Sequence, residues 1–151
     1  MVPEDAGATL KVKERNAMCG SCEVRIDDVW LRLHRVQVYR TPDYRQGVMF
    51  TIDEIAKDSI TIATQNVKVS RHSFVDVLHY LRENHHHHLN PCEVRSNDDP
   101  QLAGPLCRAA RARNNNSRCI NYILPILQNH GLVGIDCDQP NKTWIVTRWS
   151  E

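Results

Sequence analysis

The feature that most constrains the fold is a pair of apolar stripes in the second half of the chain. Each stripe has four large apolar residues spaced so that their side chains share one face of a helix. They are Phe74, Val77, Leu78 and Leu81, then Ile120, Ile123, Leu124 and Leu127. Ser70 can cap the first helix, and Gly131 can end the second. Two such helices must bury their stripes, so this part of the chain is predicted to be globular.

The segments around these helices complete a defined order of elements. Residues 105–113 are predicted to form another helix, which follows a helix-start signature at Asp98-Asp99-Pro100. Turn-prone asparagines then lead to the next helix, whose cap is predicted at Ser117 or Asn116. Short apolar runs predict strands at 92–95, 132–135 and 143–147. The predicted order is therefore helix, strand, helix, turn, helix, strand, loop, strand.

The first half of the chain predicts a helix and a small antiparallel sheet. Residues 26–38 fit a helical period better than the alternation of a strand. Apolar and polar residues then alternate over 48–53, 60–62 and 67–69, which predicts a three-stranded meander. Such a meander is not stable alone in water, so we expect it to pack on a helix or on a second subunit.

These patterns divide the chain into three parts. We predict a flexible arm at 1–18, a helix-and-meander subdomain at 19–69 and a helical domain with a terminal hairpin at 70–151. Composition agrees with a globular protein, since 41% of the 151 residues are hydrophobic and 25% are charged. No run of apolar residues is long enough to cross a membrane, and the polar N-terminus does not look like a signal peptide. We therefore expect a cytoplasmic protein with reduced cysteines.

The predicted order from residue 70 resembles the winged helix-turn-helix superfamily, and the phrase "NHGLV" at 129–133 is typical of the end of its third helix. The resemblance covers about half the chain and identifies no individual family. It implies that the third helix enters the major groove of DNA and that the terminal hairpin forms the wing. The predicted fold class is therefore α+β: an N-terminal helix and a small antiparallel β-meander, followed by a winged helix-turn-helix domain.

The resemblance implies a set of DNA contacts. A helix in the major groove turns polar side chains and arginines outward near its N-terminal end. One set of polar residues lies opposite the second apolar stripe and would read the bases. It consists of Ser117, Arg118, Asn121 and Tyr122. A second set would contact the backbone, and it consists of Arg108, Arg111, Arg113 and Lys142. A net charge of +1 leaves room for such a local basic patch in a neutral chain.

The predicted function is that of a non-enzymatic protein that binds duplex DNA as a homodimer. It would serve as a transcriptional regulator or as the recognition component of a DNA-processing or restriction system. The alternative is a winged helix that docks on other proteins without binding DNA. Pro125 speaks against a regular recognition helix, because proline inside a helix removes a hydrogen bond and kinks it.

Two further motifs suggest that the protein could bind a metal ion. Cys19 and Cys22 have the spacing of half a structural zinc site, which needs four ligands in all. The alternative is a pair of reduced thiols, and no other cofactor is expected. The histidine run at 85–88 raises a metal-dependent nuclease as a third function, although the helix after Pro100 has no histidine to serve as a metal ligand.

Overall fold

The computed structural model of the chain describes residues 20–43, 45–138 and 140–146. The predicted arm at 1–18, Cys19 and the end of the last predicted strand at 147 lie outside these residues. The helices are α1 (Gly20–Arg32), α2 (Arg71–Glu83), α3 (Pro105–Ala112) and α4 (Ile120–Asn129). The strands are β1 (Tyr39–Arg40), β2 (Met49–Phe50), β3 (Ile52–Ile55), β4 (Ser59–Ile62), β5 (Val67–Ser70), β6 (Cys92–Glu93), β7 (Val133–Asp136) and β8 (Lys142–Ile145). The predicted α+β class is confirmed.

Helix α1 settles the ambiguous segment of the first half. It runs from Gly20 to Arg32, so it begins and ends about six residues earlier than the predicted helix at 26–38. Its buried residues are Cys22, Ile26 and Val29, which follow one another at helical spacing. Val36 is 86% exposed and contributes nothing to this face. The chain instead turns after α1 and enters β1.

Strands β3, β4 and β5 form the predicted meander, an antiparallel sheet in sequence order. Its inward side chains are fully or almost fully buried, and they are Ile52, Ile60, Ile62 and Val69. Strands β1 and β2 form a separate two-stranded ribbon, with Tyr39 opposite Phe50. The buried residues of the meander belong to the same apolar cluster as those of α2, α3 and α4. The meander is therefore covered by the helices of its own chain, as its instability in isolation requires.

The second half follows the predicted order of elements. Strands β6, β8 and β7 form an antiparallel sheet in that spatial order, with β7 and β8 as the terminal hairpin. Helix α2 packs on α3, and a short turn joins α3 to α4. Helix–strand–helix–helix–strand–strand is the order implied by the winged-helix resemblance. Among the described residues, no helix has both the length and the apolar character to span a membrane.

The helix ends follow local chemistry with one exception. Ser70 caps α2 as predicted, since its hydroxyl accepts a hydrogen bond from the backbone N–H of His72 at 3.1 Å. Helix α4 was expected to be capped by Ser117 or Asn116, but its N-cap is Cys119. The reason is that Asn115 and Asn116 adopt left-handed conformations, with φ of 58° and 56°. These conformations turn the chain sharply after α3 and delay the start of the helix.

Helix α4 continues through Pro125. It is ended by Gly131, as predicted. Gly131 has φ of 76°, and its N–H donates to the carbonyl of Gln128 at 2.9 Å. The N–H of Leu132 donates to the carbonyl of Leu127 at 3.0 Å, which completes a Schellman motif. The motif turns the chain directly from α4 into β7.

His130 is the C-cap of α4, and its imidazole lies near Arg32 and Asp28 of α1. Its Nε2 atom is buried and has no hydrogen-bond partner among the described residues. Burial lowers the pKa of His130, and the positive charge of Arg32 lowers it further, while Asp28 opposes the shift. The folded protein therefore binds a proton at this site less readily than the unfolded chain does.

This difference predicts a pH-dependent stability. The His130 contribution is constant above the ordinary histidine pKa of about 6.5, and it is lost as the pH falls from there toward the lower folded pKa. His130→Gln should remove this part of the decline, as measured by urea unfolding at several pH values. His88→Gln, at an exposed loop position, is the matched control and should leave the decline unchanged. Equal slopes in wild type and His130→Gln would contradict the assignment.

Candidate nucleic-acid interface

A concave surface lies at the N-terminal end of α4. It is a cleft of about 690 Å³ between that end of the helix, the segment that joins β1 to β2, and Phe50 of β2. We call it the α4 cleft. Its walls come from residues 41–43, 46, 48 and 50, from 65 and 67, from 95, 96 and 98, from 117–119, 121 and 122, and from 140 and 141. On the far side Asn141 donates a hydrogen bond to the carbonyl of Pro42, which ties the loop of the terminal hairpin to the ribbon.

The four residues predicted to read bases all line the α4 cleft: Ser117, Arg118, Asn121 and Tyr122. Arg118 pairs with the exposed carboxylate of Asp98, with Nε 3.3 Å from Oδ1. Asn121 donates from Nδ2 to the hydroxyl of Ser96 at 3.1 Å. The Tyr122 ring meets that of Phe50 edge to face, with centroids 5.1 Å apart. The sequence therefore identified one wall of a cleft whose opposite wall comes from the other half of the chain.

The ribbon of β1 and β2 also covers part of the surface of α4. Pro125 lies on the outward side of the helix and is buried, because β1 packs against this side. Tyr39 of β1 stacks on Phe50 of β2, with centroids 5.4 Å apart, and so extends the contact. This packing covers the outward side of α4 around Pro125. The accessible parts of the helix are its last residues, Gln128 and Asn129, and its N-terminal end, which opens into the α4 cleft.

Arg111 was predicted to contact the DNA backbone, and the structure corrects this. Its side chain is buried, with an exposed fraction of 4%. The guanidinium donates to the carbonyls of Asn97 and Asp98, both at 2.7 Å, and to that of Asn116 at 3.2 and 3.3 Å. Arg111 therefore holds together the loop before α3 and the turn after it. Both segments continue into walls of the α4 cleft, so its role is to support the cleft from inside.

The other predicted backbone contacts lie outside the α4 cleft. Arg113 forms a bidentate ion pair with Asp76 of α2, at 2.6 and 3.0 Å. Arg108 is exposed and donates to the carbonyl of Ala103. Lys142 is not at the tip of the hairpin loop but opens β8, opposite acidic residues on both neighbouring strands. Of these three cations, Arg113 is neutralised by an ion pair, and Lys142 lies across from Glu93 and Asp136 in the sheet.

Arg95 is a cleft residue that the sequence analysis missed. It is exposed, lines the cleft and has a left-handed backbone, with φ of 47°. Gly104 leaves room for the Arg95 side chain, because a Cβ there would lie 2.6 Å from the Cβ of Arg95. The N–H of Gly104 also donates to the carbonyl of Arg95 at 2.9 Å. No local pattern around Arg95 indicated its position, since the contact with Gly104 exists only in the folded chain.

The charges of the α4 cleft balance. Arg95 and Arg118 are its cationic side chains, and Asp43 and Asp98 are its carboxylates. Backbone N–H groups of Gln46 and Arg45 donate to Asp43 and lower the pKa of its carboxyl, so it stays ionised. Charge alone therefore cannot supply the binding energy of a ligand. Hydrogen bonds and contact with the Tyr122 ring must contribute.

The cysteines and histidines that suggested a metal site are not grouped as metal ligands in the described part of the chain. Cys22 is fully buried and packs in the apolar core, while Cys19 lies outside the described residues. Burial also raises the pKa of Cys92 to about 11 and that of Cys119 to about 12, which keeps these thiols protonated. Within the described part of the chain, no group of three or more His, Cys, Asp or Glu side chains is placed to hold a metal ion. In the histidine run, His86 stacks on Tyr80, with centroids 6.1 Å apart.

Comparisons with family models, with curated proteins and with solved structures give no significant match to the chain.

Proposed function

We propose that this protein binds duplex DNA without catalysing a reaction on it, and that the α4 cleft is its recognition surface. The observation that carries the proposal is the convergence of all four predicted base-reading residues in one cleft with a further arginine, Arg95. Arginine and asparagine are the side chains best suited to the edges of guanine and adenine. A serine beside them adds a hydroxyl that can bond to a phosphate or a base.

The packing of α4 determines how a duplex would approach. A helix with its side chains is about 10–12 Å across, which just fits the major groove of about 12 Å. A packed strand layer adds roughly 10 Å, so α4 together with the ribbon is too wide for the groove. The DNA must therefore meet the N-terminal end of α4 and the loops around it. In this arrangement Arg95 and Arg118 face the nucleic acid, whereas Arg108 and Arg113 do not.

The biological setting remains as proposed from the sequence: a cytoplasmic transcriptional regulator, or the recognition component of a DNA-processing or restriction system. We also propose that the protein acts as a homodimer. Strand β3 is one edge of the meander, and two copies related by a two-fold axis can pair along such an edge. The other edge, β5, is partly covered, because the side chain of Asn114 bonds to the backbone of Lys68 and Ser70.

A second candidate is a module that docks on proteins. It is favoured by exposed apolar residues on and beside the ribbon, where Val38, Val48 and Met49 are 53%, 54% and 66% exposed. Binding driven by these residues would respond little to salt. Binding to phosphates weakens steeply with salt, because each neutralised phosphate releases counterions.

The test is fluorescence anisotropy of a labelled duplex of about 25 base pairs, more than two helical turns long. Arg95→Ala/Arg118→Ala should weaken binding at least about tenfold and reduce the log–log salt slope by about 1.8, or 0.9 for each lost phosphate contact. Asp98→Asn should strengthen binding, because it removes a carboxylate that competes with phosphate for Arg118. A gain in affinity cannot result from misfolding, so this variant separates a binding effect from a stability effect.

Arg108→Ala/Arg113→Ala is the matched control, since it removes the same charge from outside the cleft. We expect it to bind within about twofold of wild type, as rim charges change affinity little. If this control loses as much affinity as the cleft variant, the cleft is not the contact surface. Absence of wild-type binding at low salt would reject DNA as the partner and leave the protein-docking module.

A further inference from the structure

We infer that the α4 cleft holds a single nucleobase with its attached phosphate, taken out of the base stack. The inference deepens the proposed function and rests on it for the source of the base, which would be duplex DNA. A site of about 690 Å³ is within the range of about 300–1,000 Å³ typical of small-molecule pockets. It is the size of a site for one unit of a polymer and not for a section of duplex.

The walls of the cleft match the two parts of a nucleotide. The half-buried Tyr122 ring lies on one side and offers apolar surface to a flat aromatic ligand, and the buried Phe50 ring packs against it edge to face. Amide side chains surround them, and Asn121 keeps its amide oxygen as an acceptor while its Nδ2 is held by Ser96. Amides pair readily with the polar edge of a base, and stacking on aromatic rings is the usual way in which an unstacked base is held.

The phosphate would lie near Arg95 and Arg118. Both side chains line the cleft, and neither is buried in it, so they can reach the backbone that enters with the base. The balanced charge of the cleft agrees with a ligand that has one charged phosphate and one uncharged base. One phosphate can displace the exposed carboxylate of Asp98 from Arg118, whereas a run of phosphates would also meet the ionised carboxylate of Asp43.

The experiment compares two labelled duplexes that differ only at the central position, which is fully paired in one and mismatched in the other. An unpaired base is easier to remove from the stack, so a protein that holds the base outside it prefers the mismatched duplex. We expect wild type to bind the mismatched duplex about tenfold more tightly. Tyr122→Leu should lose this preference, and Tyr122→Phe, which keeps the ring, should retain it. Free mononucleotides are tested as competitors in the same assay.

The outcomes separate the inference from the proposed function. Salt-sensitive binding without any preference, or a preference that Tyr122→Leu retains, overturns the inference and leaves DNA binding in place. Binding of mononucleotides without binding of either duplex supports the nucleobase site but overturns duplex DNA as its source. Binding of neither class of ligand overturns both.

Discussion

Replacing Arg111 by methionine is expected to destabilise the protein by about 3–5 kcal/mol, because the change leaves buried carbonyl groups without a donor. The Arg111 guanidinium donates hydrogen bonds to the carbonyls of Asn97, Asp98 and Asn116. Methionine fills a similar volume but has no hydrogen-bond donor in its side chain. Each bond to a charged donor is worth about 1.5–3 kcal/mol, and an unsatisfied buried acceptor costs about 1–3 kcal/mol. Urea unfolding monitored by tryptophan fluorescence measures the loss.

Two variants control this prediction. Arg108→Met lies on the same helix at an exposed position and should change stability by less than about 0.5 kcal/mol. Arg111→Lys keeps the charge but cannot reproduce the planar fork, so we expect a loss between those of the other two variants. If Arg111→Met were as stable as wild type but bound DNA with a reduced salt slope, Arg111 would be a phosphate contact after all.

The Arg111 prediction also affects how binding data are interpreted. Loss of DNA binding in an Arg111 variant follows from the collapse of the loops at 97–98 and 114–117, which adjoin the α4 cleft. Such a variant cannot serve as evidence of a direct contact. Arg95 and Arg118 are the informative positions, because both are accessible to a ligand in the cleft.

Replacing Phe74 by alanine is expected to cost about 3–5 kcal/mol, the usual range for removing a buried aromatic ring. Phe74 is fully buried in α2 and meets Trp30 of α1 edge to face, with centroids 5.2 Å apart. Trp30 in turn donates to the carbonyl of Ala56 beside β3 at 2.8 Å. The cavity therefore opens where the two halves of the chain meet, and a domain of ordinary stability of about 5–15 kcal/mol would become marginal.

Phe74→Leu is the matched control, because it keeps much of the volume and should cost less than about 1.5 kcal/mol. Thermal unfolding followed by circular dichroism should show one transition for wild type and for both variants, since the core is a single cluster. Two separated transitions, with only the later one shifted by Phe74→Ala, would show that the halves fold independently and would contradict this account.

Periodicity predicted most of the fold. The stripe beginning at Phe74, the alternation around Ile60 and the glycine at 131 each produced the expected helix, strand or helix end. These signals are local, because a side chain's place on a helix face or strand depends only on spacing. The predicted start of α4 was wrong, because the true start is not determined by local spacing. Its true cap depends on a left-handed turn at Asn115 and Asn116 that closes around the buried Arg111.

Local spacing was enough to group Ser117, Arg118, Asn121 and Tyr122 around the start of α4, and these four residues do line one cleft. What lies opposite them depends on contacts between distant parts of the chain. The ribbon of β1 and β2 comes from about 70 residues earlier in the chain, and its packing on α4 turns an expected groove-reading helix into one wall of a cleft. The structure also decided which arginines are available. Whether an arginine is solvated, paired or buried depends on partners distant in sequence, and no local pattern encodes them.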